Sequence, residues 1–175
     1  MKKLCVFCGA QMGNNPVHIE LVKQFGVWMA AQNIGLVYGG GHTGLMGGIA
    51  DSVLSAGGYV IGVIPEMLVQ KEMAHQGIQE LYEVQTMHER KFLMASKSDG
   101  FLALPGGFGT LDELNEMITW AQIGYHQKPI AIANKTKYFD LFLDFARFAQ
   151  KEGFIQEYVL KQIQVIDEPA EFSWN

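Results

Sequence analysis

A glycine-rich stretch followed by a threonine and two acidic residues is the first place in this sequence where chemistry could occur. It has the sequence PGGFGTLDE and spans residues 105–113. Glycines directly before a helix-like segment expose backbone N–H groups, and the helix dipole adds positive potential. Gly106, Gly107, Gly109 and Thr110 are therefore predicted to form a cradle for a phosphate group. The stretch lacks the lysine of a P-loop, which disfavours hydrolysis of nucleoside triphosphates.

Glu113 has two interpretations. Thr110 and Glu113 have the spacing of a capping box, in which Thr110 is the N-cap and Glu113 reaches back to it. Alternatively, Glu113 is a functional carboxylate. In the first turn of a helix we expect it to be ionised, because the dipole and the neighbouring amides favour the charged form. An ionised carboxylate beside a bound phosphate can steady a cation or orient a water molecule.

A second candidate stretch, TMHERK, spans residues 86–91. Thr86 and Glu89 again have capping-box spacing, which explains Glu89 without a catalytic role. Arg90 and Lys91 oppose the helix dipole, because cations normally occupy the last turn. Either a nearby anion compensates them, or they are a solvated basic pair. Because this helix also follows a strand, Arg90 is expected at the same sheet edge as the Gly106 loop.

An upstream loop, VYGGGHTGLMGG, carries a further glycine pattern. Gly39, Gly41 and Gly44 fit the dinucleotide fingerprint G-x-G-x-x-G, with Glu66 about 20 residues beyond. That interpretation implies an NAD(P)- or flavin-binding oxidoreductase. The alternative is close packing and tight turns, which glycines also permit. The loop follows the second predicted strand rather than the first, which argues against the dinucleotide site.

The remaining metal-ligand and thiol residues predict no cofactor. Cys5 and Cys8 lie in a strand-like run, where positions three apart face opposite sides, so we expect buried core thiols in a reducing compartment. The histidines lack metal-ligand spacing. We therefore expect neither a metal nor a cofactor.

The elements that position these residues alternate between apolar strands and amphipathic helices. Seven strand-like runs are KLCVFCG, GLVYGG, YVIGVIP, LYEVQT, GFLALPGG, PIAIAN and IQVID. Helices are predicted over residues 16–32, 43–56, 87–97, 111–123 and 138–151. This pattern predicts one α/β domain over residues 1–175, with a Rossmann-like, doubly wound and mostly parallel sheet of about seven strands covered by helices on both faces. Such folds bind ligands at the carboxyl ends of their strands.

Composition excludes several other classes of function. The formal charge is -5 with no long basic run, which argues against a nucleic-acid surface. No apolar run approaches the roughly 18 residues of a membrane helix, and the N-terminal apolar run is short for a signal peptide. We therefore expect a cytoplasmic protein with no membrane or nucleic-acid partner and a small-molecule ligand.

Together these motifs resemble one known family. MHERK, PGGFGTLDE, the upstream GGGHTGLMG and the downstream ITWAQIGYHQKP are similar to motifs of the LONELY GUY family of cytokinin-activating phosphoribohydrolases, in the same order along nearly the whole chain. The resemblance implies hydrolysis of the N-glycosidic bond of a nucleoside 5'-monophosphate, such as AMP or a cytokinin riboside monophosphate. The products would be free base and ribose 5-phosphate. Many members carry an older label of lysine decarboxylase, but nothing in this sequence suggests a pyridoxal phosphate site.

The resemblance also implies roles for individual residues. Arg90 and Glu113 would be the catalytic pair. Family substrate-binding positions correspond to Glu72, Met87, Lys91, Gly106, Gly107, Gly109, Thr110, Asp112 and Thr119. Short family members are typically homodimers, so we expect a homodimer. A non-catalytic nucleotide carrier, similar to molybdenum-cofactor carriers, stays open as an alternative because it needs the loops but not Glu113.

Overall fold

A seven-stranded sheet organises the chain. The computed structural model describes residues 1–174, and every predicted strand is present. The strands are β1 (Lys3–Phe7), β2 (Gly35–Tyr38), β3 (Val60–Pro65), β4 (Glu80–Val84), β5 (Gly100–Ala103), β6 (Ile130–Ala133) and β7 (Ile163–Ile166).

All strand pairs are parallel, in the order β4-β3-β2-β1-β5-β6-β7. The chain order reverses between β1 and β5, where Phe7 pairs with Ala103. This reversal is the topological switch point of a doubly wound sheet, and the crevice beside it is where such folds bind ligands. The predicted Rossmann-like α/β fold is confirmed.

Helices connect the strands on both faces of the sheet. They are α1 (Val17–Ala31), α2 (Gly44–Ser55), α3 (Glu66–Val69), α4 (Met87–Ser96), α5 (Phe108–Gln122), α6 (Asp140–Lys151) and α7 (Glu157–Lys161), with a 3-10 turn at Pro169–Glu171. The five predicted helices are α1, α2, α4, α5 and α6. The sequence pattern missed α3 and α7, because helices this short show no periodicity. It also placed the start of α5 three residues too late.

The core lies on both sides of the sheet. Cys5 packs in the cluster that includes Phe101 and Leu114, whereas Cys8 packs in the cluster that includes Phe25 and Ile49. Both thiols are free and buried, so the predicted alternation is confirmed. Burial raises the pKa of both thiols well above the ordinary value, which makes them unreactive. Across residues 1–174, no helix has the length and apolar character needed to span a membrane.

Candidate active site

A cavity of about 490 Å³ opens above the carboxyl ends of β1 and β5. It brings together the two predicted junctions, the start of α4 and the start of α5. The predicted site residues that line it are Glu72, Met87, Arg90, Gly106, Gly107, Gly109, Thr110, Asp112 and Glu113. The expectation that Arg90 and the Gly106 loop share one edge of the sheet is therefore confirmed.

The amino end of α5 faces this cavity. The helix begins at Phe108 with Gly107 as its N-cap, and no side chain within residues 1–174 caps it. Its first intrahelical bond runs from the N–H of Leu111 to the carbonyl of Gly107, at 3.1 Å. The N–H groups of Phe108, Gly109 and Thr110 therefore precede any intrahelical partner, as in every helix, and are available to an anion.

This geometry corrects the capping-box interpretation of Thr110 and Glu113. Because Gly107 is the N-cap, Thr110 is the third helical residue and Glu113 belongs to the second turn. Thr110 is buried and Glu113 points toward the cavity instead of back to the cap. The local spacing was right for a cap, but the helix starts earlier than the spacing implied.

The three glycines of the cradle differ in whether the surrounding structure excludes a side chain. At Gly106 a side chain would overlap the Thr110 hydroxyl and lie 2.8 Å from the backbone N of Gly9, so close packing excludes it. At Gly107 and Gly109 a Cβ atom would meet no atom within 4 Å. Neither has a positive φ. Packing and backbone conformation therefore do not require glycine at these two positions, and the open space beside them leaves the neighbouring amides accessible.

We expect Gly109→Ala to separate stability from ligand binding. Alanine is favoured over glycine inside helices by roughly 0.5–1 kcal/mol, so the variant should be equally or more stable. Its methyl group would occupy the open space over the cradle, so affinity for ribose 5-phosphate should fall about tenfold. Thermal unfolding and titration calorimetry measure the two effects. If the variant were more stable but bound ribose 5-phosphate with unchanged affinity, that result would contradict the placement of the phosphate on this cradle.

Arg90 is a buried cation, with 5% of its surface exposed. Its Nε donates to the carbonyl of Val63 at 3.2 Å, and its Nη2 donates to the carbonyl of Gly39 at 2.8 Å. Glu72 Oε2 lies 3.4 Å from the same Nη2. These partners resolve the unfavourable position of Arg90 near the start of α4, because a carboxylate and two carbonyl oxygens contact its guanidinium.

Glu113 is partly buried beside Arg90. Burial raises the pKa of its carboxyl to about 7, against the lowering influence of Arg90, and the nearby charges of Asp112 and Glu72 raise it further. Within the described residues, it accepts no hydrogen bond. This pKa shift is opposite in direction to the expectation that the helix dipole keeps Glu113 ionised, because desolvation by burial is the largest influence on the carboxyl.

Two predicted site residues lie outside the cavity. Lys91 Nζ forms ion pairs with Asp112 Oδ2 at 3.0 Å and with Glu116 Oε2 at 3.1 Å, so it links α4 to α5. Thr119 donates its hydroxyl to the carbonyl of Asn115 at 2.8 Å and lines a separate groove between α5, α6 and α7. In this chain, then, neither residue reaches the cradle.

Glu89 is confirmed as a capping residue. Its backbone N–H donates to Thr86 Oγ1 at 3.1 Å, and its carboxylate accepts from the N–H of Thr86 at 3.3 Å. Capping accounts for Glu89, which does not line the cavity.

Sequence reasoning missed one wall of the cavity. Residues 8–14, which follow β1, line it together with His18 and Tyr138. Tyr138 donates its hydroxyl to the carbonyl of Gly106 at 2.5 Å, and its ring packs edge-on against His18. The available signal was the fold itself, because a loop that follows the strand at a switch point must border the ligand crevice.

The upstream glycine loop is explained by packing. A Cβ at Gly39 would overlap the guanidinium of Arg90, and one at Gly44 would overlap the backbone of Ala10. Gly44 also has a φ of +60°, which glycine adopts without strain. Protein atoms occupy the space that a dinucleotide pyrophosphate would need at these two glycines. The structure therefore favours the packing alternative over the NAD(P) fingerprint.

Solved structures with the same fold include the molybdenum cofactor binding protein of the phototrophic bacterium Rippkaea orientalis. It has a TM-score of 0.71 and 20% identity, over 98% of this chain and 93% of that one. The Moco carrier protein of Chlamydomonas reinhardtii has a TM-score of 0.69 and 16% identity, over 97% and 91%. Likeness at this identity shows a shared fold and nothing about function.

Sequence comparison is more specific. A family profile described as "Possible lysine decarboxylase" matches residues 46–173. The chain is 47% identical to the cytokinin riboside 5'-monophosphate phosphoribohydrolase LOG1 of Arabidopsis thaliana, over 88% of this chain and 72% of that protein. It is 46% identical to the probable cytokinin riboside 5'-monophosphate phosphoribohydrolase LOGL9 of Oryza sativa subsp. japonica, over 88% and 68%. The chain therefore belongs to the family of cytokinin riboside 5'-monophosphate phosphoribohydrolases.

Proposed function

We propose that this protein hydrolyses the N-glycosidic bond of a nucleoside 5'-monophosphate, AMP or a cytokinin riboside monophosphate, to free base and ribose 5-phosphate. One observation carries the proposal. A single cavity holds an anion cradle at the amino end of α5, a carboxyl group of raised pKa at Glu113 and the buried guanidinium of Arg90. An enzyme needs these groups to anchor a phosphate and to cleave a neighbouring C–N bond.

From the order of the strands, we place the cradle and Arg90 at different ends of the cavity. The cradle follows β5, whereas the carbonyl groups that hold Arg90 belong to Val63 within β3 and to Gly39 just after β2. Because β1 separates β2 from β5, Gly39 and the cradle are about two strand spacings apart, roughly 10 Å. With the phosphate on the cradle, Arg90 therefore faces the sugar and the base instead of the phosphate.

The chemistry follows from this placement. The C1'–N bond breaks heterolytically, so the electron pair leaves with the base and positive charge develops on the ribose ring. Glu113 in its ionised form stabilises this oxocarbenium-like state and accepts a proton from the water that adds to C1'. Arg90 stabilises the negative charge on the departing ring nitrogen until this nitrogen takes a proton from solvent water, and Glu113 then returns its proton to solvent. A pKa near 7 makes both forms of Glu113 available at neutral pH.

The cavity does not fit amino-acid decarboxylation. Enzymes that use pyridoxal phosphate for this reaction hold the cofactor as a Schiff base with a lysine. No lysine lines the cavity among the residues that the structure describes. The family profile's description therefore does not match the donor set of this site, whereas a phosphoribohydrolase needs no such lysine.

The proposal predicts a strong preference for the monophosphate. The phosphate on the cradle provides binding energy remote from the bond that breaks, and this energy positions C1' between Glu113 and Arg90. We expect kcat/KM for adenosine to be on the order of 10²-fold or more below that for AMP. Chromatography of released adenine measures both. Equal turnover of nucleoside and monophosphate would contradict the phosphate anchor.

We also propose a cytoplasmic homodimer. The two free thiols are consistent with a reducing compartment. Exposed apolar side chains on the helices and directly after α5 support association through this surface, among them Phe92, Ile123, Tyr125, Leu141 and Phe145. Sedimentation velocity distinguishes the dimer from a monomer.

A further inference from the structure

Glu72 lies on a segment that has little regular structure of its own. The segment connects α3 to β4 and places the Glu72 carboxylate 3.4 Å from Arg90. Met73, the next residue, has a φ of +48°, in the left-handed region that a non-glycine residue rarely occupies. Contacts from outside the segment must therefore hold this backbone in place.

Backbone bonds to the upstream glycine loop provide part of this hold. The N–H of His42 forms one bifurcated hydrogen bond, to the carbonyl of Glu72 at 3.0 Å and to the carbonyl of Met73 at 2.9 Å. The N–H of His75 donates to the carbonyl of Gly40 at 2.9 Å. These two bonds fix the path of the segment on both sides of its left-handed residue.

The His75 side chain adds an anchor to a different element. Its ring is buried, and its Nδ1 accepts a hydrogen bond from the N–H of Gly77 at 3.0 Å. The ring proton of neutral His75 is therefore on Nε2, which lies 3.1 Å from Asp51 Oδ1 on α2. His75 thus donates to Asp51, and the bond ties the segment to a packed helix.

A metal site is the other chemistry these residues suggest. One ligand atom from each of His42, Asp51 and His75 lies within 4.8 Å of the others, which the sequence spacing did not indicate. A metal at His75 Nε2 requires that atom to be deprotonated and Nδ1 to carry the proton. The N–H of Gly77 already donates to Nδ1, so the ring proton is on Nε2. This tautomer cannot bind a metal through Nε2, but it can donate a hydrogen bond to Asp51.

We propose that the bond between His75 and Asp51 positions Glu72 against Arg90. His75 and Asp51 are positioning residues, since neither lines the cavity. They act through the Glu72 carboxylate, which balances the Arg90 charge beside Glu113. This inference rests on the proposed hydrolase function, because its effect is expressed in turnover.

Asp51 offers the cleanest test, because it is exposed and alanine is a better helix former than aspartate. We expect Asp51→Ala to lower kcat about tenfold while the KM for AMP changes less than about threefold, since a displaced positioning group affects the reacting geometry and the cradle is untouched. Asp51→Asn should restore kcat, because its amide oxygen also accepts from Nε2–H. Ser55→Ala, exposed on the same helix, is the control.

A double-mutant cycle separates positioning from general destabilisation. If Asp51 acts through Glu72, then Asp51→Ala should lower kcat no further in a Glu72→Gln background. Additive effects on kcat would overturn the inference. So would an Asn variant as slow as the Ala variant. A wild-type protein without turnover would instead overturn the proposed function.

A measurement on the wild-type protein keeps the inference testable if a variant fails to fold. Long-range proton–nitrogen NMR spectra distinguish the two ring tautomers. The inference requires neutral His75 to carry its proton on Nε2. A proton on Nδ1, or loss of the Nε2 proton on addition of Zn²⁺, would overturn it in favour of a metal site.

Discussion

Glu113→Gln is expected to lower kcat by at least about 10²-fold while leaving ribose 5-phosphate binding within about threefold of the wild type. The amide keeps the shape of the side chain but can neither balance positive charge on the ribose nor accept a proton from water. Losing such a group typically costs 10²–10⁴-fold in kcat. Release of adenine from AMP and calorimetry with ribose 5-phosphate measure the two quantities. Glu20→Gln, exposed on α1, makes the same substitution away from the cavity and should be fully active.

The same substitution has an expected effect on stability with a definite sign. Folding raises the Glu113 pKa from its ordinary 4.5 to about 7, so between these values the native state keeps a proton that the unfolded state releases. The free energy of unfolding of the wild type therefore falls as pH rises from about 4.5 to 7. The glutamine side chain does not titrate, so the variant does not lose this part of its free energy of unfolding as pH rises. Its stability relative to wild type should increase between pH 5 and pH 8, by roughly 3 kcal/mol at most.

Urea unfolding at pH 5 and pH 8 tests this expectation. A stability difference that does not change with pH would mean that Glu113 is ionised in the native state throughout. The same pKa predicts that kcat/KM of the wild type rises with pH and levels off above about 7, because the ionised form is the active one. The adenine-release assay also tests the alternative of a non-catalytic carrier. Under that alternative, the wild type and the Glu113→Gln variant would both bind AMP without releasing adenine.

Arg90→Lys is expected to lower kcat by about 10²–10³-fold while affinity for ribose 5-phosphate stays within about threefold. Lysine keeps the charge, but its single nitrogen cannot contact Val63, Gly39 and Glu72 in the way the guanidinium does. The charge then shifts from the point where the leaving base becomes negative. Up to two carbonyl groups lose their partner, at a cost of about 1–3 kcal/mol in stability for a buried unpaired group.

The chain contains one other arginine, which provides a matched control. Arg147 is exposed on α6 and pairs with Asp144, so Arg147→Lys should leave turnover and stability unchanged. If Arg90→Lys weakened ribose 5-phosphate binding as much as it lowered kcat, Arg90 would contact the phosphate. That result would contradict the placement of Arg90 at the sugar and base end of the cavity.

Local sequence signals determined much of this protein. Near-continuous apolar runs fixed the strands, and their alternation with helices implied a parallel sheet whose carboxyl edge carries the site. The Thr86 capping box was readable because it involves only neighbouring residues. Cys5 and Cys8 were placed correctly on opposite faces, because the period of a strand is a local property. The order of the motifs was enough to recognise the family.

Only the tertiary structure decided what the site residues do. Arg90 finds its carbonyl partners 27 and 51 residues away, within β3 and just after β2, and only the folded sheet brings these positions beside α4. The pKa of Glu113 depends on desolvation by surrounding elements, which no spacing reveals, and it overrode the helix-dipole expectation. Lys91 and Thr119 face away from the cavity because of how α4 and α5 pack. Sequence patterns report interactions within one turn or strand. Burial and long-range contacts determine the charge and the orientation of a catalytic side chain.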